Sequence, residues 1–406
     1  MKILVLSQHF WPETFRINEI VRTLGAAGQN VRVLTGQPNY PAGQIYEGYK
    51  HRAQRTQPME NVWVYRVPLI PRGGGGAIRL ALNYLSFVLS ASLIGPRDIP
   101  DHRLDIVFVY ATSPLIQAIA GIVLARAKRA KLVVWVQDLW PESLSATGFV
   151  TNPIWIGLVG RLVRWIYART DLILVQSEAF VLPVAALAPG RRIEVLKNPS
   201  DGAVHEATGA IPALSFAPGF NIVFAGNLGA AQALDTVLDA ADRLRDLPDL
   251  RFVLVGSGRE AARLADEITR RKLTNVDMPG RFPPEMMPAI LSHASALLVT
   301  LARAPIFALT VPSKLPTYLA AGSPILAAMD GEGARVVMEA GAGLAVPAED
   351  AAALALAARA LYAASSDERA AMGRRGREYH DRHYDLRVFV PRLIAIFESV
   401  LQDRTA

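Results

Sequence analysis

Short runs of β-branched and aliphatic residues alternate with longer segments of helical periodicity through the first half of the chain. Such runs are typical of strands, whereas apolar residues that recur every three or four positions indicate amphipathic helices. Their alternation predicts a parallel sheet covered by helices on both faces. The predicted strands are Ile3–Leu6, Val31–Leu34, Val62–Val67, Ile106–Val109, Leu132–Val136 and Leu172–Val175, and the predicted helices are Ile17–Ala27, Leu80–Leu93, Leu115–Ala127 and Ile154–Arg169.

The second half repeats the pattern after an irregular segment, Asn198–Phe220, whose proline and glycine content is typical of a linker. We predict two doubly wound α/β domains, residues 1–200 and 201–386, that face each other across a cleft, because such sheets bind ligands at the carboxyl ends of their strands. The predicted strands are Ile222–Phe224, Arg251–Val255, Asn275–Asp277, Ala296–Val299, Ile325–Ala327 and Gly343–Val346, and the predicted helices are Leu234–Leu244, Glu260–Arg271, Pro284–Ala294, Leu315–Ala321, Ala334–Ala340 and Asp350–Ala364.

Composition and charge narrow the class of protein. The 406 residues are 51% hydrophobic and 19% charged, too apolar for a disordered chain. Cysteine is absent, which excludes disulfide scaffolds, thiolate zinc sites and cysteine nucleophiles. The net charge of +7 divides into +10 for residues 1–200 and −3 for residues 201–406. A basic first half indicates an anionic partner (nucleic acid, a membrane or a phosphorylated substrate), unless it is simply a solvated basic surface.

Two helical segments of the first half have a membrane-like composition. Leu80–Gly95 lacks charged residues but is shorter than the roughly 20 residues of a membrane span, which favours a buried or interfacial helix. Ile154–Arg169 interleaves tryptophans with arginines, which suits a membrane interface and a core helix equally well. The first strand begins at the second residue, so we expect no signal peptide. The basic residues are too dispersed for nucleic acid, and no recognition motif accompanies them.

Two turns in the second half have the chemistry of phosphate binding. The segment Gly256–Ala261 follows a strand and opens a helix, as a dinucleotide-binding turn does, although any tight strand-to-helix turn has this composition. Ser313 is a predicted N-cap, and Lys314 adds a positive charge to the free amides of that helix N-terminus, which attract phosphate. An ordinary capped helix with a solvated lysine is the alternative.

Polar and aromatic residues follow two strands of the first half, at edges that would line the expected cleft. They are Gln137, Asp138, Trp140 and Glu142 after one strand, and His9, Trp11, Arg16 and Asn18 after the other. Carboxylates and histidine suit acid–base chemistry, and amides and indoles suit sugar binding. An Asx turn at Asp138 and a structural His9 are the alternatives. The sequence contains no Asp-x-Asp or His-x-x-x-His pair that would indicate a metal centre.

Together these segments resemble the family 4 retaining glycosyltransferases of the GT-B fold, in particular the bacterial branch that builds O-antigen (lipopolysaccharide), capsule and exopolysaccharide units and includes the fucosamine transferases. The resemblance runs across nearly the whole chain. It rests on the segments KILVLSQHFWPE, LTGQPNYPAGQIYEGY, WVQDLWPES, FAGNLGAAQALDTVLDA, FVLVGSGRE, VPSKLPTYLAAGSPILAA and GEGARVVMEAGAGLAVPAED.

The resemblance implies that the second domain binds a UDP-sugar and the first binds the acceptor, with helix 387–406 crossing back onto the first domain. The donor diphosphate would lie along the turn Gly226–Gly229, and the nucleotide would border the turn Gly256–Gly258. The distal phosphate would meet Ser313 and Lys314. The implied donor-binding residues are Gly226, Asn227, Leu228, Gly256, Ser257, Gly258, Arg281, Phe282, Ser313, Lys314 and Thr317. The implied acceptor-binding residues are Trp11, Arg16, Asn18, Gln137, Trp140 and Glu142.

The implied reaction is front-face transfer with retention, without metal or cofactor. Lys314 and the helix amides would stabilise the leaving diphosphate, Asp138 would orient the acceptor hydroxyl or the donor sugar, and His9 is the third catalytic candidate. The donor sugar is expected to be an N-acetylated amino sugar or a deoxy sugar, and the acceptor a sugar on a polyprenyl diphosphate. Such an enzyme would be cytoplasmic and peripheral to the anionic inner membrane, docked through its basic first domain.

Three departures from the family's pattern keep other functions open. Asn227 and Gln232 stand in place of an arginine and a lysine, Leu309 and Thr317 in place of two glutamates, and Gln137 in place of a histidine. The alternatives are a nicotinamide-dependent oxidoreductase that uses Gly256–Ala261, a non-catalytic sugar- or lipid-binding relative, and a related UDP-sugar 2-epimerase.

Overall fold

The computed structural model describes residues 1–50, 54–74, 76–146, 152–200 and 218–403. The chain forms two compact units, residues 1–197 together with 389–406, and residues 198–388. Each unit contains a mostly or entirely parallel sheet flanked by helices, so the predicted doubly wound α/β class is confirmed for both. Most of the predicted linker, residues 201–217, lies outside the described residues.

The first unit is built on an eight-stranded sheet. Its strands are β1 (Lys2–Leu6), β2 (Asn30–Gly36), β3 (Thr56–Met59), β4 (Val62–Val67), β5 (Ile106–Ala111), β6 (Lys131–Val136), β7 (Leu172–Val175) and β8 (Arg192–Val195), in the order β3-β4-β2-β1-β5-β6-β7-β8. All neighbours are parallel except β3, which pairs antiparallel with β4. The edge strands β3 and β8 were not predicted, because TQPM and RIEV lack the apolar run of a central strand.

Four helices of the first unit share one face of this sheet. The helices are α1 (Ile17–Ala26), α2 (Ala77–Asp98), α3 (Ala118–Ala127), α4 (Glu142–Ala146), α5 (Pro153–Tyr167) and α6 (Val181–Leu187). The connections through α2, α3, α5 and α6 all run in one direction along the sheet, so right-handed crossovers place these helices on the same face. Phe389 and Phe397, from the last helix of the chain (Leu386–Gln402), pack their rings 5.4 and 5.3 Å from Trp135 and Phe108.

The second unit has a parallel sheet between two hydrophobic layers. Its strands are β9 (Phe220–Asn227), β10 (Leu250–Ser257), β11 (Val276–Gly280), β12 (Ala296–Thr300), β13 (Ile325–Ala328) and β14 (Gly343–Val346), in the order β11-β10-β9-β12-β13-β14. Its helices are α7 (Asp235–Asp242), α8 (Ala261–Arg271), α9 (Met287–Ser292), α10 (Pro305–Ala308), α11 (Lys314–Ala321), α12 (Glu332–Glu339), α13 (Ala351–Ala363) and α14 (Ser366–His383), followed by α15 (Leu386–Gln402). Alternate residues of β9 enter opposite cores, Ile222 and Phe224 on one side and Val223 and Ala225 on the other.

Each sheet has a point at which the order of its strands reverses. In the first unit β1 lies between β2 and β5, and in the second β9 lies between β10 and β12. The loops that leave such strands diverge, so the carboxyl edge at that point can hold a ligand. The turns that follow β1 and β9, which contain predicted site residues, occupy these positions.

Candidate functional site

A cavity of about 300 Å³ lies at the carboxyl ends of β9 and β10. It is lined by six of the predicted donor-binding residues together with Val255 and Met287. The six are Gly226, Asn227, Gly256, Ser257, Arg281 and Phe282. The fold therefore brings the two glycine turns and the segment after β11 into one concave surface.

The glycines of this site are required by the close approach of the two turns. A Cβ on Gly256, whose φ is 146°, would lie 1.8 Å from the carbonyl oxygen of Gly226. A Cβ on Gly258 would lie 2.1 Å from the carbonyl oxygen of Leu228. The backbone N–H of Leu228 donates to the Ser257 carbonyl at 2.9 Å, and that of Glu260 donates to the Leu228 carbonyl at 3.0 Å. Close packing thus accounts for the glycine pattern, without a dinucleotide.

Lys314 places a cation beside this cavity. Its Nζ donates to Gln232 Oε1 at 2.9 Å and lies 3.6 Å from the centroid of the Phe224 ring. The same Nζ is 2.9 Å from the position that a Cβ on Gly226 would take. Burial lowers the pKa of Lys314 from 10.5 to about 7, because a low-dielectric environment disfavours the ammonium form. The side chain is therefore held among an aromatic face, an amide oxygen and the glycine turn, and is not a solvated surface lysine.

The N-terminus of α11 offers fewer amides to a phosphate than expected from the sequence. Pro316 has no N–H, and the N–H of Leu315 donates to the Pro312 carbonyl at 2.9 Å. Ser313 stands at the predicted N-cap position, but its φ of −59° and ψ of −22° continue the helical backbone, and its side chain makes no capping bond. The position is thus as predicted but the capping bond is absent, and Lys314 is left as the main candidate for phosphate binding on this helix.

Tyr318, which the sequence analysis did not single out, joins α11 to β9. Its hydroxyl accepts from the Ala225 N–H at 2.8 Å and donates to the Ala225 carbonyl at 3.2 Å. The side chain is 1% exposed and stands one turn after Lys314. A tyrosine in an apolar helix needs a buried partner for its hydroxyl, and this was the signal available in the sequence. The bond fixes the position of Lys314 relative to the glycine turn.

The remaining predicted donor residues differ in their surroundings. Arg281 lines the cavity and is exposed. A second arginine of this unit, Arg303, donates to the Ala348 carbonyl and lies 3.6 Å from Asp330. Thr317, on α11, is half-buried. Arg281 is thus the better placed of the two arginines to meet a ligand in the cavity.

In the first unit, the turn after β1 contains a histidine–carboxylate pair. His9 Nδ1 and Glu13 Oε2 are 2.9 Å apart, and both side chains are buried. Glu13 Oε1 accepts the backbone N–H groups of Asn39 and Tyr40 at 2.6 Å each. A carboxylate oxygen accepts hydrogen bonds, so the geometry suits donation from His9 Nδ1 to Glu13 and leaves Nε2 on the other side of the ring.

Only one member of this histidine–carboxylate pair was predicted from the sequence. His9 was a candidate, but Glu13 was not, although the i, i+4 spacing was visible in the sequence. The His9 ring stacks on Phe15 at 5.1 Å and lies 5.7 Å from the Tyr40 ring. A base oriented by a carboxylate and by aromatic packing is suited to general base catalysis.

Asn18 and Trp11 shape this turn. Asn18 Oδ1 accepts the Trp11 N–H at 3.1 Å, and Asn18 Nδ2 donates to the Glu13 carbonyl at 2.7 Å. Arg66 donates to the Trp11 carbonyl at 2.9 Å and stands 5.6 Å from the Trp11 ring centroid. The Asn18 amide is thus engaged in holding the backbone, and its contact with an acceptor stays a prediction.

The loop after β6 holds Asp138 against the loop after β5. Burial raises the pKa of the Asp138 carboxyl above its usual range, while a hydrogen bond from the Ser113 backbone opposes that shift. Burial raises the pKa of Tyr110 to about 12, and Asp138 adds to that rise while Arg16 counteracts it. Burial also lowers the pKa of Arg16. The structure therefore makes Asp138, Tyr110 and Arg16 electrostatic neighbours.

The other acceptor candidates of this loop have distinct environments. Trp140 Nε1 donates to Ser113 Oγ at 3.1 Å, so Trp140 and Asp138 share one partner loop. The Gln137 carbonyl accepts from Gln176 Nε2 at 2.8 Å. Glu142 opens α4 and is exposed. Their contacts with an acceptor stay predictions.

Among the described residues, one group has the ligand types and spacing of a metal site: His380, Asp381 and Asp385, whose candidate ligand atoms lie within 4.8 Å of one another. The two ring nitrogens of His380 meet Ser200 Oγ at 2.8 Å and Asp381 Oδ1 at 3.0 Å. Asp385 accepts from the side chain and backbone of Arg387. Each of the three residues thus already has a protein partner, and metal-independence stays a prediction.

Comparison with known families assigns both halves of the chain. Residues 14–199 match the glycosyl transferase 4-like domain, and residues 219–364 match the family of glycosyl transferases group 1. The chain is 29% identical over 345 residues to WcaI of Escherichia coli K12, which is assigned as a colanic acid biosynthesis glycosyl transferase, covering 79% of this chain and 82% of that protein. It is 27% identical over 290 residues to WbjE of Pseudomonas aeruginosa, which is assigned as a glycosyltransferase, covering 68% and 71% of the two chains.

Solved structures share the fold at low sequence identity. HepE of Anabaena, in a complex with UDP, superposes with a TM-score of 0.71 at 17% identity, covering 98% of this chain and 100% of that one. Sucrose-phosphate synthase from Thermosynechococcus elongatus superposes with a TM-score of 0.73 at 16% identity, covering 99% of each chain. The predicted GT-B fold is thereby confirmed.

Proposed function

The chain belongs to the glycosyltransferases through both of its halves, and from that premise we propose that it transfers a sugar from a UDP-sugar to an acceptor on a polyprenyl diphosphate, with retention. The expected sugar is an N-acetylated amino sugar or a deoxy sugar. The assignment of WcaI to colanic acid biosynthesis supports a role in bacterial surface polysaccharide synthesis. The complex of HepE with UDP supports a UDP-linked donor.

The observation that carries the proposal is the position of Lys314 beside the cavity at the ends of β9 and β10. A UDP-sugar would place its uridine in this cavity, near Phe282 and Arg281, and its diphosphate along Gly226. In the transfer the bond between the anomeric carbon and the diphosphate oxygen breaks, and negative charge grows on that oxygen. A cation in a water-poor site stabilises such charge far more than a solvated one does, so no metal is required.

The first unit would activate the acceptor hydroxyl. In front-face transfer the leaving diphosphate can accept the hydroxyl proton, so a strong protein base is not obligatory. His9, oriented by Glu13, is the side chain of this unit whose chemistry best suits assistance to that transfer. Asp138 would orient the hydroxyl or the donor sugar by hydrogen bonds.

The exposed face of α2 supports docking at a membrane. Among the described residues, α2 is the one helix long and apolar enough to cross a membrane, yet its other face packs in the unit through Asn83, Phe87, Ala91 and Gly95. Its exposed face is a stripe of five large apolar side chains, which refutes a fully buried helix. They are Ile78, Leu82, Leu85, Leu89 and Leu93. We place the enzyme in the cytoplasm, peripheral to the inner membrane.

The helix α5, on the same face of the sheet, presents a second exposed surface of similar chemistry. It exposes Ile154, Trp155 and Trp165 together with Arg161 and Arg164. Exposed tryptophans and arginines suit the headgroup region of an anionic leaflet. The pattern thus favours an interfacial position over a core position for this helix.

Sedimentation with vesicles tests the membrane proposal. We expect the protein to bind vesicles of phosphatidylglycerol more than vesicles of phosphatidylcholine, and Leu85→Gln with Leu89→Gln to weaken that binding. Leu356→Gln is the matched control, because Leu356 is a leucine 69% exposed on α13 of the second unit. Equal binding of both lipids, or equal binding by the control and the double variant, would contradict membrane docking.

Turnover with a panel of UDP-sugars and a short polyprenyl-diphosphate-linked sugar tests the catalytic proposal. Release of UDP with a product of retained configuration is expected for one donor. A thermal shift with UDP and none with NAD would separate this function from a nicotinamide-dependent oxidoreductase. Binding of UDP without turnover of any pair would favour a non-catalytic relative.

A further inference from the structure

A second cavity, of about 640 Å³, lies in the first unit. It is formed by the loop that follows β2 and the loop between β4 and α2. Two cations, Lys50 and Arg79, stand on its wall, and the described residues that line it include neither a carboxylate nor an aromatic ring. A positively charged cavity without an aromatic surface suits a phosphate group better than a nucleoside.

The two loops are joined at the backbone. The N–H of Gly73 donates to the Gly43 carbonyl at 2.8 Å. Gly43 has a φ of +75°, and a Cβ there would lie 2.0 Å from the Gly73 carbonyl oxygen. Only glycine permits this contact, so the cavity is bounded by two loops held in fixed register.

The cavity adjoins the apolar stripe of α2. Arg79 is the third residue of the helix, and the stripe begins beside it at Ile78. The stripe residues Leu82, Leu85 and Leu89 are 45%, 58% and 61% exposed. A ligand with an anionic head and a long apolar chain would meet cations first and then a continuous apolar track.

The other side of the cavity leads toward the histidine–carboxylate pair. The loop after β2 that lines the cavity also contains Tyr40, whose ring lies 5.7 Å from the His9 ring and whose N–H binds Glu13. The Arg72 guanidinium, next to Gly73, lies 5.1 Å from the Tyr40 ring. One loop thus connects the cationic cavity with the proposed acceptor-activating side chain.

We infer that this cavity binds the diphosphate of an isoprenoid-linked acceptor, with Lys50 and Arg79 on the phosphates and the isoprenoid chain along the α2 stripe. The sugar attached to the other side of the diphosphate then points toward His9. This inference rests on the proposed function, because that function supplies an acceptor with a diphosphate between a sugar and an isoprenoid chain. It adds the site at which the acceptor is recognised.

Binding of farnesyl diphosphate to the full-length protein, measured by titration calorimetry, tests the inference. Lys50→Gln and Arg79→Gln are each expected to weaken binding about tenfold or more, since each removes a charge-assisted contact. Arg97→Gln is the matched control, because Arg97 is an exposed arginine at the other end of α2. It is expected to leave the affinity unchanged. Arg79→Lys, which keeps the charge, is expected to restore most of the binding.

Two further ligands identify the source of the diphosphate. Inorganic pyrophosphate is expected to bind more weakly than farnesyl diphosphate, and Leu82→Gln with Leu85→Gln is expected to weaken farnesyl diphosphate alone. Equal affinity of wild type, Lys50→Gln and Arg79→Gln for farnesyl diphosphate, or failure of the wild type to bind it, would overturn the inference. Displacement of farnesyl diphosphate by UDP would also overturn it, since the cavity would then belong to the donor.

UDP binding in the same samples keeps this inference distinct from the proposed function. All variants of the cavity are expected to bind UDP as the wild type does. A wild-type protein that binds farnesyl diphosphate at this cavity but not UDP would contradict the proposed donor site alone. A protein that binds UDP and transfers sugar, while the cavity variants bind farnesyl diphosphate normally, would contradict the cavity alone.

Discussion

The ammonium group of Lys314 is expected to make donor binding depend on pH. Burial lowers the pKa of Lys314 to about 7, so the free protein carries this charge below that pH and loses it above. A bound diphosphate favours the charged form and raises the pKa in the complex. Binding therefore takes up a proton above pH 7, and the affinity for a UDP-sugar falls as the pH rises, until the pKa of the complex is reached.

The magnitude follows from the same linkage. Each pH unit between the two pKa values is worth about 1.4 kcal/mol, so affinity falls at most tenfold per unit. Between about pH 7 and about pH 8.5 the loss is bounded at roughly 2 kcal/mol, or about 30-fold. At about pH 6, where the lysine is charged, Lys314→Met is expected to weaken binding by about 1.5–3 kcal/mol, the usual value of a hydrogen bond to a charged group.

Calorimetric titration with a UDP-sugar is the appropriate assay. The diphosphate of a nucleotide sugar is esterified at both ends and does not titrate near neutrality, whereas the terminal phosphate of UDP does. Titrations in two buffers of different ionisation enthalpy would report the proton taken up. The Lys314→Met variant is the control, because its affinity should not change with pH through this group.

Two results would refute the reasoning. A wild-type affinity that stays constant between about pH 6 and about pH 8.5 would show that Lys314 does not meet the diphosphate or does not titrate there. A Lys314→Met variant that binds as tightly as the wild type at about pH 6 would remove the lysine from the donor site. A variant that fails to fold would show no melting transition, and Lys314→Gln would then replace it.

Three further substitutions test the other parts of the site. Glu13→Gln is expected to lower kcat about tenfold or more by removing the carboxylate that orients His9, with UDP affinity unchanged; normal turnover would exclude that role. Tyr318→Phe should leave the Ala225 N–H without its buried acceptor, and therefore lower the free energy of unfolding by about 1–3 kcal/mol in urea denaturation and weaken UDP binding. An unchanged free energy of unfolding together with an unchanged UDP affinity would show that the bond does not position α11. Asp138→Asn is expected to lower kcat/KM for the acceptor, and near-normal kinetics with both substrates would remove Asp138 from the reaction.

The turns at the strand ends could be predicted from the sequence because local patterns determine them. Strands buried on both faces are continuous apolar runs, and the glycines after β9 and β10 mark where two backbones meet. Edge strands such as β8 lack this run and were missed. The helix α14 was also missed, although Ser365 and Glu368 form a capping box whose signature is visible in the sequence. The helix was not predicted because its sequence is polar and lacks an apolar face, although it packs through Gly373 against the backbone of Gly322.

In each unit, the contacts that hold the candidate residues depend on partners far apart in the chain. Glu13 is held by amides 26 and 27 residues away, and Tyr318 bonds to a strand 93 residues before it. The cavity of the first unit forms where the loops of Gly43 and Gly73 come into contact, and no local sequence pattern predicts that contact. Sequence periodicity indicates which residues reach a sheet edge, but the partners that orient them are set by the packing of separate loops.

The net charge of the second half does not predict the electrostatic potential in its cavity, because the two quantities depend on different groups. The second half has a net charge of −3, yet several of its arginines are neutralised by adjacent carboxylates. These pairs are Arg263 with Asp235, Arg271 with Asp239, Arg245 with Asp242, and Arg359 with Asp246. Exposed pairs of this kind are screened within about 8 Å at physiological salt, so they contribute little to the field in a cavity.

Lys314 acts at shorter range and in a less polar environment. Its partners are an amide oxygen and an aromatic face, which leave its positive charge uncompensated until an anion arrives. Lys50 and Arg79 of the first unit are exposed, so their attraction for phosphate is reduced by water and by salt. It follows that Lys314 can give the acidic second half the stronger anion site. The site formed by Lys50 and Arg79 in the basic first half is expected to be weaker and more sensitive to salt. The position and burial of single cations, and not the net charge of a domain, therefore set the strength expected of each proposed diphosphate site.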